Sequence, residues 1–451
     1  MYKLNIKINI PSSVSYIMKT LEMFNYEVYI VGGSVRDSLL KRIPKDWDVT
    51  TNASPREIIT IFKSLDCKVV ETGLKHGTVT VVINNNHYEV TTFRIDGKYS
   101  DCRKPDCVSF TESLKEDLSR RDFTINAMAY NNKVGLIDYF EGIKHLNNKI
   151  ITSVGKPDDR FNEDALRMLR AVRLSTTLGF SLDSKTSTSI FKNRNLIKNI
   201  STERIRDEFI RILIPSNPLS GIELLRSLGL LEIILPEFQK CYGFEQRNPN
   251  HDKDVYYHIL NVLENTSNKL EIRLAALLHD IGKPSTFTLD ENGIGHFYKH
   301  HLESEDITRK VLDRLRFDNR TIDNVCILVR EHMSRYDSLK IKNAKKLINR
   351  VGIDNLNSLF ELQIADIKGS TNRDSIDKVL DMKAACERIL NEKQPLSIKD
   401  LDINGNDLIK LGFKQGKQIG KVLNELLDVV LEEPEFNKKD KLIDYVKSKM
   451  T

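Results

Sequence analysis

Residues 31–51 read VGGSVRDSLLKRIPKDWDVTT, and the reading of this stretch decides the fold. The apolar run Val28–Val31 in front of it predicts a buried strand. Gly32 and Gly33 end that strand, and with no Cβ they let the backbone approach a ligand closely. A turn and a short helix follow through Ser38-Leu39-Leu40, and the helix's first amides can face a phosphate. Asp46-Trp47-Asp48 then opens a second extended run. On a strand, residues two apart project to one face, so the two carboxylates converge. They repel unless a cation lies between them, and Mg²⁺ is the cation usually shared by carboxylates and substrate phosphates. Gly-Gly alone is an ordinary turn, and Asp-x-Asp alone is an ordinary solvated loop. Their order and short separation together point to nucleotidyl transfer.

The chain has 451 residues, enough for about three domains. With 40% hydrophobic and 29% charged residues it has the balance of a soluble protein. No apolar run approaches the roughly 20 residues of a membrane helix. The N-terminus lacks an apolar signal core. Six scattered cysteines contain no CxxC pair, which excludes a zinc ribbon or thioredoxin motif and predicts free thiols. A cytoplasmic protein with no membrane partner is expected. The net charge of +6 permits a polyanionic partner without demanding one.

GGSVRD followed by DWD resembles the head of class II nucleotidyltransferases of the polymerase β superfamily, the bacterial CCA-adding enzymes and poly(A) polymerases. The resemblance implies that Asp46 and Asp48 hold two catalytic Mg²⁺ ions. It also implies that Gly33 and Arg36 contact the nucleotide.

Further segments follow in the family's order. Val14, Ile17, Met18, Leu21 and Phe24 recur at helical spacing and predict a helix over 11–24. Ser54, Pro55 and Glu57 predict a capped helix start. GTVTVVI and HYEVTTFR, flanking Asn84-Asn85-Asn86, predict a hairpin. On its second strand Glu89 shares a face with His87 and Thr91. Spacing alone leaves it a solvent-facing edge residue or a third catalytic carboxylate, and the resemblance implies the latter. Residues 95–113 are polar and resemble the family's flexible loop. In LSRRDFTINAMA, Arg120 and Arg121 form a basic pair, and the resemblance places a nucleotide contact on Arg121. LIDYFEGIKHL carries Tyr139 where the family commonly has proline, and no role is assigned to it.

Residues 160–178, RFNEDALRMLRAVRLSTTL, predict one continuous helix with Asp164 and Arg167 neighbours one turn apart. A carboxylate accepts from the exocyclic amine of cytosine or adenine, and a guanidinium donates to the adjacent ring nitrogen. Uracil and guanine present the wrong groups to both. The pair is otherwise a surface ion pair. EDALRMLRAVR resembles the family's base-selecting motif, which implies the first reading. Arg170 and Arg173 extend the basic stripe as nucleotide contacts, with phosphate binding and helix packing both open.

Seven of ten histidines fall between 251 and 332. Leu274–Leu278 runs into His279-Asp280-Ile281-Gly282-Lys283-Pro284, placing two metal-ligand types at a helix end. HDIGKP resembles the HD phosphohydrolase superfamily. By that resemblance His258, His279, Asp280 and Asp366 bind a transition metal such as Mn, Ni, Fe or Co, with His300 and His332 available for a second. A scaffold that has lost this activity is the alternative. In the tail, Gly405, Gly412, Gly416 and Gly420 predict turns, with one or more of them opening a helix toward phosphate, and Lys410, Lys414, Lys417 and Lys421 form a basic patch. The resemblance implies a tRNA-gripping role there.

The expected fold class is α+β: a small mixed-sheet head (1–150), then an all-α neck (151–215), an HD-containing body (216–375, HD about 251–370) and a tail (376–451). The expected function is template-independent addition of C, C and A to tRNA from CTP and ATP, releasing pyrophosphate. Rivals are A-only addition, poly(A) synthesis, an HD phosphohydrolase with a nucleotide-sensing head, and a non-catalytic RNA-binding module. The sequence leaves the oligomeric state open.

Overall fold

A computed structural model describes residues 6–97, 107–247, 254–334, 341–370 and 376–450. The middle of the expected flexible loop, Cys102 and His251 lie outside them. The chain divides into two compact units, Met1–Ile234 and Leu235–Thr451.

In the first unit α1 (Ser12–Met23) precedes β1 (Val28–Val31), whose four residues are all buried. Gly32 then turns the chain with φ of 75°, in the left-handed region glycine tolerates, into α2 (Gly33–Leu39). β2 (Asp48–Thr51) returns antiparallel to β1, pairing Val31 with Asp48. The strand begins at Asp48, so Asp46 lies just outside it rather than within it as its spacing had predicted. α3 (Pro55–Ser64) starts at the predicted capping box, with Ser54 and Glu57 each satisfying the other's backbone N–H.

β3 (Lys68–Gly73), β4 (Thr78–Ile83) and β5 (Asn86–Thr92) continue the sheet. The β4–β5 turn is two residues, Asn84 and Asn85, both at positive φ (51° and 62°), the backbone such a tight turn demands. β6 (Arg94–Asp96) pairs with β7 (Val108–Phe110) as a separate ribbon. α4 (Leu114–Ser119), β8 (Met128–Asn131), β9 (Gly135–Asp138) and α5 (Gly142–Asn147) complete the head. Strand order is β3-β4-β5-β2-β1-β8-β9, antiparallel except β2 beside β5. Pairing register sets Asp48, Thr50, Glu89, Tyr29 and Val31 on one face. Tyr29, Val31, Leu114, Leu118 and Ala129 form a buried cluster on that face.

The neck starts with β10 (Ile150–Ile151), which pairs in parallel with β11 (Ser181–Leu182). Between them the predicted helix 160–178 is broken into α6 (Pro157–Glu163) and α7 (Leu166–Leu178). Asp164, at φ −140° and ψ 102°, is extended. Its side chain accepts the Leu166 N–H at 3.1 Å, the local alternative to helix that aspartate offers. α8 (Ser184–Asn193), α9 (Thr202–Leu213), α10 (Pro218–Ser227) and α11 (Leu231–Ile234) follow.

Among its described residues the second unit is helical apart from the ribbon of β12 (Phe287–Leu289) and β13 (Gly295–Phe297). α12 (Val255–Glu264), α13 (Leu270–Leu278), α14 (His300–Arg314) and α15 (Asn319–Glu331) come first. α16 (Ile341–Val351), α17 (Ile353–Gly369) and α18 (Ile376–Asn391) follow. α19 (Gly405–Lys410), α20 (Lys417–Glu432) and α21 (Lys439–Met450) surround a tail core of Leu408, Leu423, Leu426, Val430, Leu442 and Val446. Gly412 and Gly416 turn the chain at positive φ and Gly405 opens α19, whereas Gly420 lies inside α20 and marks no turn. No helix among the described residues is long and apolar enough to cross a membrane.

Candidate active site and metal centre

In the head the site forms where β1 ends and β2 begins. A Cβ added at Gly32 would press on Arg121 Nη1 at 3.0 Å and touch Asp48 Oδ2 at 3.6 Å, so the φ of 75° is what favours glycine and the side chains of the site close over it. Arg121 thus stands against the same peptide as Asp48. Burial pulls its pKa down, while Asp117 and Asp48 pull it back up. Desolvation lifts the Asp48 pKa, against Arg121, and the like charge of Asp46 adds to it. Glu89 is raised in the same way, by desolvation and then by Asp48 and Asp46. The three carboxylates therefore sense one another at one place, the chemistry a divalent cation relieves. Among the described residues the three do not make up a group whose ligand atoms all lie within 4.8 Å of one another.

Arg36, on α2, donates to Asp37 Oδ1 at 2.8 Å and to Asn126 Oδ1 at 2.6 Å. Gly33 opens the same helix. Arg120 and Arg121 share the fully buried Asp117: Arg120 binds it at 2.7 Å and Arg121 approaches to 3.7 Å. Asp117, on α4, lies three and four residues before them, and that spacing is the sequence signal for this partner.

On the neck, Asp164 and Arg167 do not pair as an i,i+3 couple. The break at Asp164 turns its carboxylate to Arg204 of α9, at 2.9 Å. Arg167 donates instead to Glu163 at 2.6 Å and to the carbonyls of Arg160 (3.3 Å) and Arg120 (3.1 Å). Arg170 binds the buried Asp122 at 2.6 Å, and Arg173 binds Glu208 at 2.9 Å. Burial opposes the Asp122 charge, but Arg170 and the Asn126 amide hold its pKa well below the carboxylate range. Arg204 and Glu208 lie 40 and 35 residues from their partners, beyond any local pattern.

In the second unit, α13 ends at His279, and His258, Asp280, Asp366, His300 and His332 gather around it, all buried. His258 Nε2 lies 3.1 Å from both Asp280 Oδ2 and Asp366 Oδ1, and His279 Nε2 lies 3.2 Å from Asp280 Oδ2. The other oxygen, Oδ1, faces His300 at 3.2 Å and His332 at 3.8 Å. Asp280 is thus shared by two ligand groups, His258/His279/Asp280 and Asp280/His300/His332, each with its ligand atoms within 4.8 Å. The Nδ1 atoms of His279, His300 and His332 sit 2.6–2.9 Å from the carbonyls of Ala276, Phe297 and Val329. A carbonyl only accepts, so Nδ1 carries the proton and Nε2 is the atom turned inward, with a lone pair to offer when the ring is neutral. Burial opposes a charge on His279, yet Asp280 and Asp366 pull its pKa up to about 10. The pocket is built to hold positive charge, and its donor set fits two transition-metal ions. Lys283 also binds Asp280 Oδ2, at 2.8 Å.

Family models match three stretches: the poly A polymerase head domain over 28–152, a probable RNA- and SrmB-binding site of polymerase A over 179–241, and the HD domain over 255–376. The CCA-adding enzyme of Lactobacillus johnsonii is 36% identical over 92% of both chains. That of Ligilactobacillus salivarius is 35% identical over 97% of both. The solved Bacillus stearothermophilus CCA-adding enzyme in complex with CTP is 27% identical, with a TM-score of 0.72 over 97% of this chain and 98% of that one. With curated relatives of that name, 35–36% identical, aligned along nearly its whole length, this chain belongs to the family of CCA-adding enzymes.

Proposed function

We propose that this protein adds C, C and A to the 3′ end of tRNA from CTP and ATP, without a nucleic-acid template. The observation that carries the chemistry is the meeting of Asp48, Asp46 and Arg121 at the Gly32 turn. The enzyme uses a divalent metal. Mg²⁺ is our assignment for the head, held by Asp46 and Asp48 with Glu89 nearby. Bound there, it supplies Lewis-acid chemistry to the attacking hydroxyl and the pyrophosphate leaving group. Gly33, Arg36 and Arg121 take the triphosphate, the guanidiniums by charge-assisted hydrogen bonds. Asp164 and Arg167 read the base edge, each from its own side of the helix break. Arg170 and Arg173, committed to buried carboxylates, anchor α7. Residues 1–150 serve as the catalytic head, 151–215 as the base-reading neck, and 376–451 as a tRNA-binding tail.

Incubating tRNA that lacks CCA with each labelled nucleotide tests this. Ordered incorporation of C, C and then A is expected. Incorporation of A alone, or of long A tracts, would assign the chain to a sister activity. Asp46→Ala and Asp48→Ala are each expected to abolish incorporation with the fold intact, and robust incorporation by either sinks the metal assignment.

A second activity is favoured by the Asp280-bridged cluster: metal-dependent hydrolysis of a phosphate ester. Its test is release of p-nitrophenol from bis-p-nitrophenyl phosphate with Mn²⁺, Ni²⁺, Fe²⁺ or Co²⁺ added in turn. No release with any of them would leave the cluster a structural scaffold.

A further inference from the structure

We propose that Asn126 and Asp122 form a buried relay that couples the triphosphate end of the nucleotide site to the base-reading helix. The proposal rests on the reading of Arg36 and Arg167 given above. Four side chains form one continuous chain of hydrogen bonds. Arg36 Nη1 donates to Asn126 Oδ1 at 2.6 Å, and Asn126 Nδ2 donates to Asp122 Oδ1 at 3.1 Å. Asp122 Oδ2 accepts from Arg170 Nε and Nη2 at 2.9 and 2.6 Å. The amide orientation is forced, because a guanidinium only donates and a carboxylate only accepts. The two oxygens of Asp122 are divided: Oδ1 serves the head, through Asn126 and the Phe123 N–H at 2.8 Å, and Oδ2 serves α7.

Burial makes the relay matter. Asp122 and Asn126 are 8% and 7% exposed, so the middle of the chain sits away from water. There, hydrogen bonds polarise one another, and a partner left unpaired is costly. Arg36 is otherwise held only by its neighbour Asp37 among the contacts described, a local bond that does not fix it to the sheet. Asn126 supplies that fixed point. Arg170 lies one turn from Arg167 on α7, so anchoring Arg170 to the head sets the position from which Arg167 reaches the base. Asn126 and Asp122 are positioning residues in this account.

Steady-state kinetics with all four nucleotides and tRNA lacking CCA test it. Asn126→Ala is expected to raise KM for every nucleotide about tenfold with kcat little changed, and to lower the CTP:UTP ratio of kcat/KM severalfold. Asn126→Asp keeps an acceptor for Arg36 but sets a second carboxylate against Asp122. It is expected to keep a near-native KM and lose discrimination, and it carries the test if Asn126→Ala does not fold. A merely structural role predicts lower melting temperatures with KM and the nucleotide ratio both unmoved, and that result overturns the relay. A raised KM with an unchanged ratio in both variants overturns the coupling. Arg36→Met separates the premises. An unchanged KM there refutes the triphosphate reading, whereas a raised KM beside native-like Asn126 variants refutes the relay alone.

Discussion

Asp164 illustrates how one carboxylate serves two demands. It accepts the Leu166 N–H at the start of α7 and carries the Arg204 ion pair, so its oxygens are oriented before any base arrives. An ionised carboxylate is acceptor-only, and it suits the amine of cytosine or adenine but not the carbonyl of uracil or guanine. Asp164→Ala removes that acceptor and leaves Arg167 held by Glu163, still able to donate. Preference for CTP and ATP over UTP and GTP is expected to fall by roughly tenfold to a hundredfold, the equivalent of one hydrogen bond to a charged group at about 1.5–3 kcal/mol. Relative kcat/KM for the four nucleotides measures it. Unchanged ratios in a folded, active variant would mean the base is read elsewhere.

At the scale of elements, what could be read from the sequence was what local chemistry dictates. The Ser54–Glu57 capping box and the Asn84-Asn85 turn are decided within four residues, and both form as their sequence implies. The Gly32 turn was legible because glycine tolerates positive φ, and His279-Asp280 stood out as two metal-ligand types at a helix end; His258, Asp366, His300 and His332 were named only through the family resemblance. The break between α6 and α7 was not, since periodicity runs through Asp164 unbroken and the partner that holds it extended comes from α9. Tertiary pairing overrode a good local helix. The same blindness hid Lys345 on α16, which reads as a surface lysine in a basic run. It is fully buried, with only the Val430 carbonyl described near its Nζ, at 3.5 Å. Burial pushes its pKa down to about 8. A lysine whose folded pKa is lowered costs stability wherever it is protonated: fully below pH 8, with relief growing as pH rises toward its unfolded value near 10.4. Lys345→Met keeps the volume and removes the charge. It is expected to raise stability by about 1–3 kcal/mol at pH 7 and by less at pH 9. Denaturant unfolding at the two pH values checks this, and a loss of stability at pH 7 would show that the ammonium is satisfied.

For the whole molecule, the division into two units separates the two chemistries. All the candidate nucleotide-site residues lie within Met1–Ile234, and all six candidate metal ligands within Leu235–Thr451. Each unit has its own buried apolar residues, so losing one site need not unmake the other. A metal that binds only the folded HD cluster stabilises it by mass action, about 2.7 kcal/mol at a hundred times its Kd. Mn²⁺ is therefore expected to raise the melting temperature of the native protein. The His279→Ala/Asp280→Ala double variant removes the shared bridging carboxylate and one imidazole, leaving neither three-ligand group intact. It is expected to bind no metal at the cluster, to show no Mn²⁺-dependent rise in melting beyond what the head contributes, and to hydrolyse no phosphate ester. Its addition of C, C and A should remain near native, because none of the groups removed belongs to the unit that holds Asp46, Asp48 and Arg121. Metal content by mass spectrometry, melting curves with and without Mn²⁺, and the incorporation assay decide the matter together. Loss of nucleotide addition in a folded double variant would show that the HD cluster supports the head's chemistry and is not an independent centre.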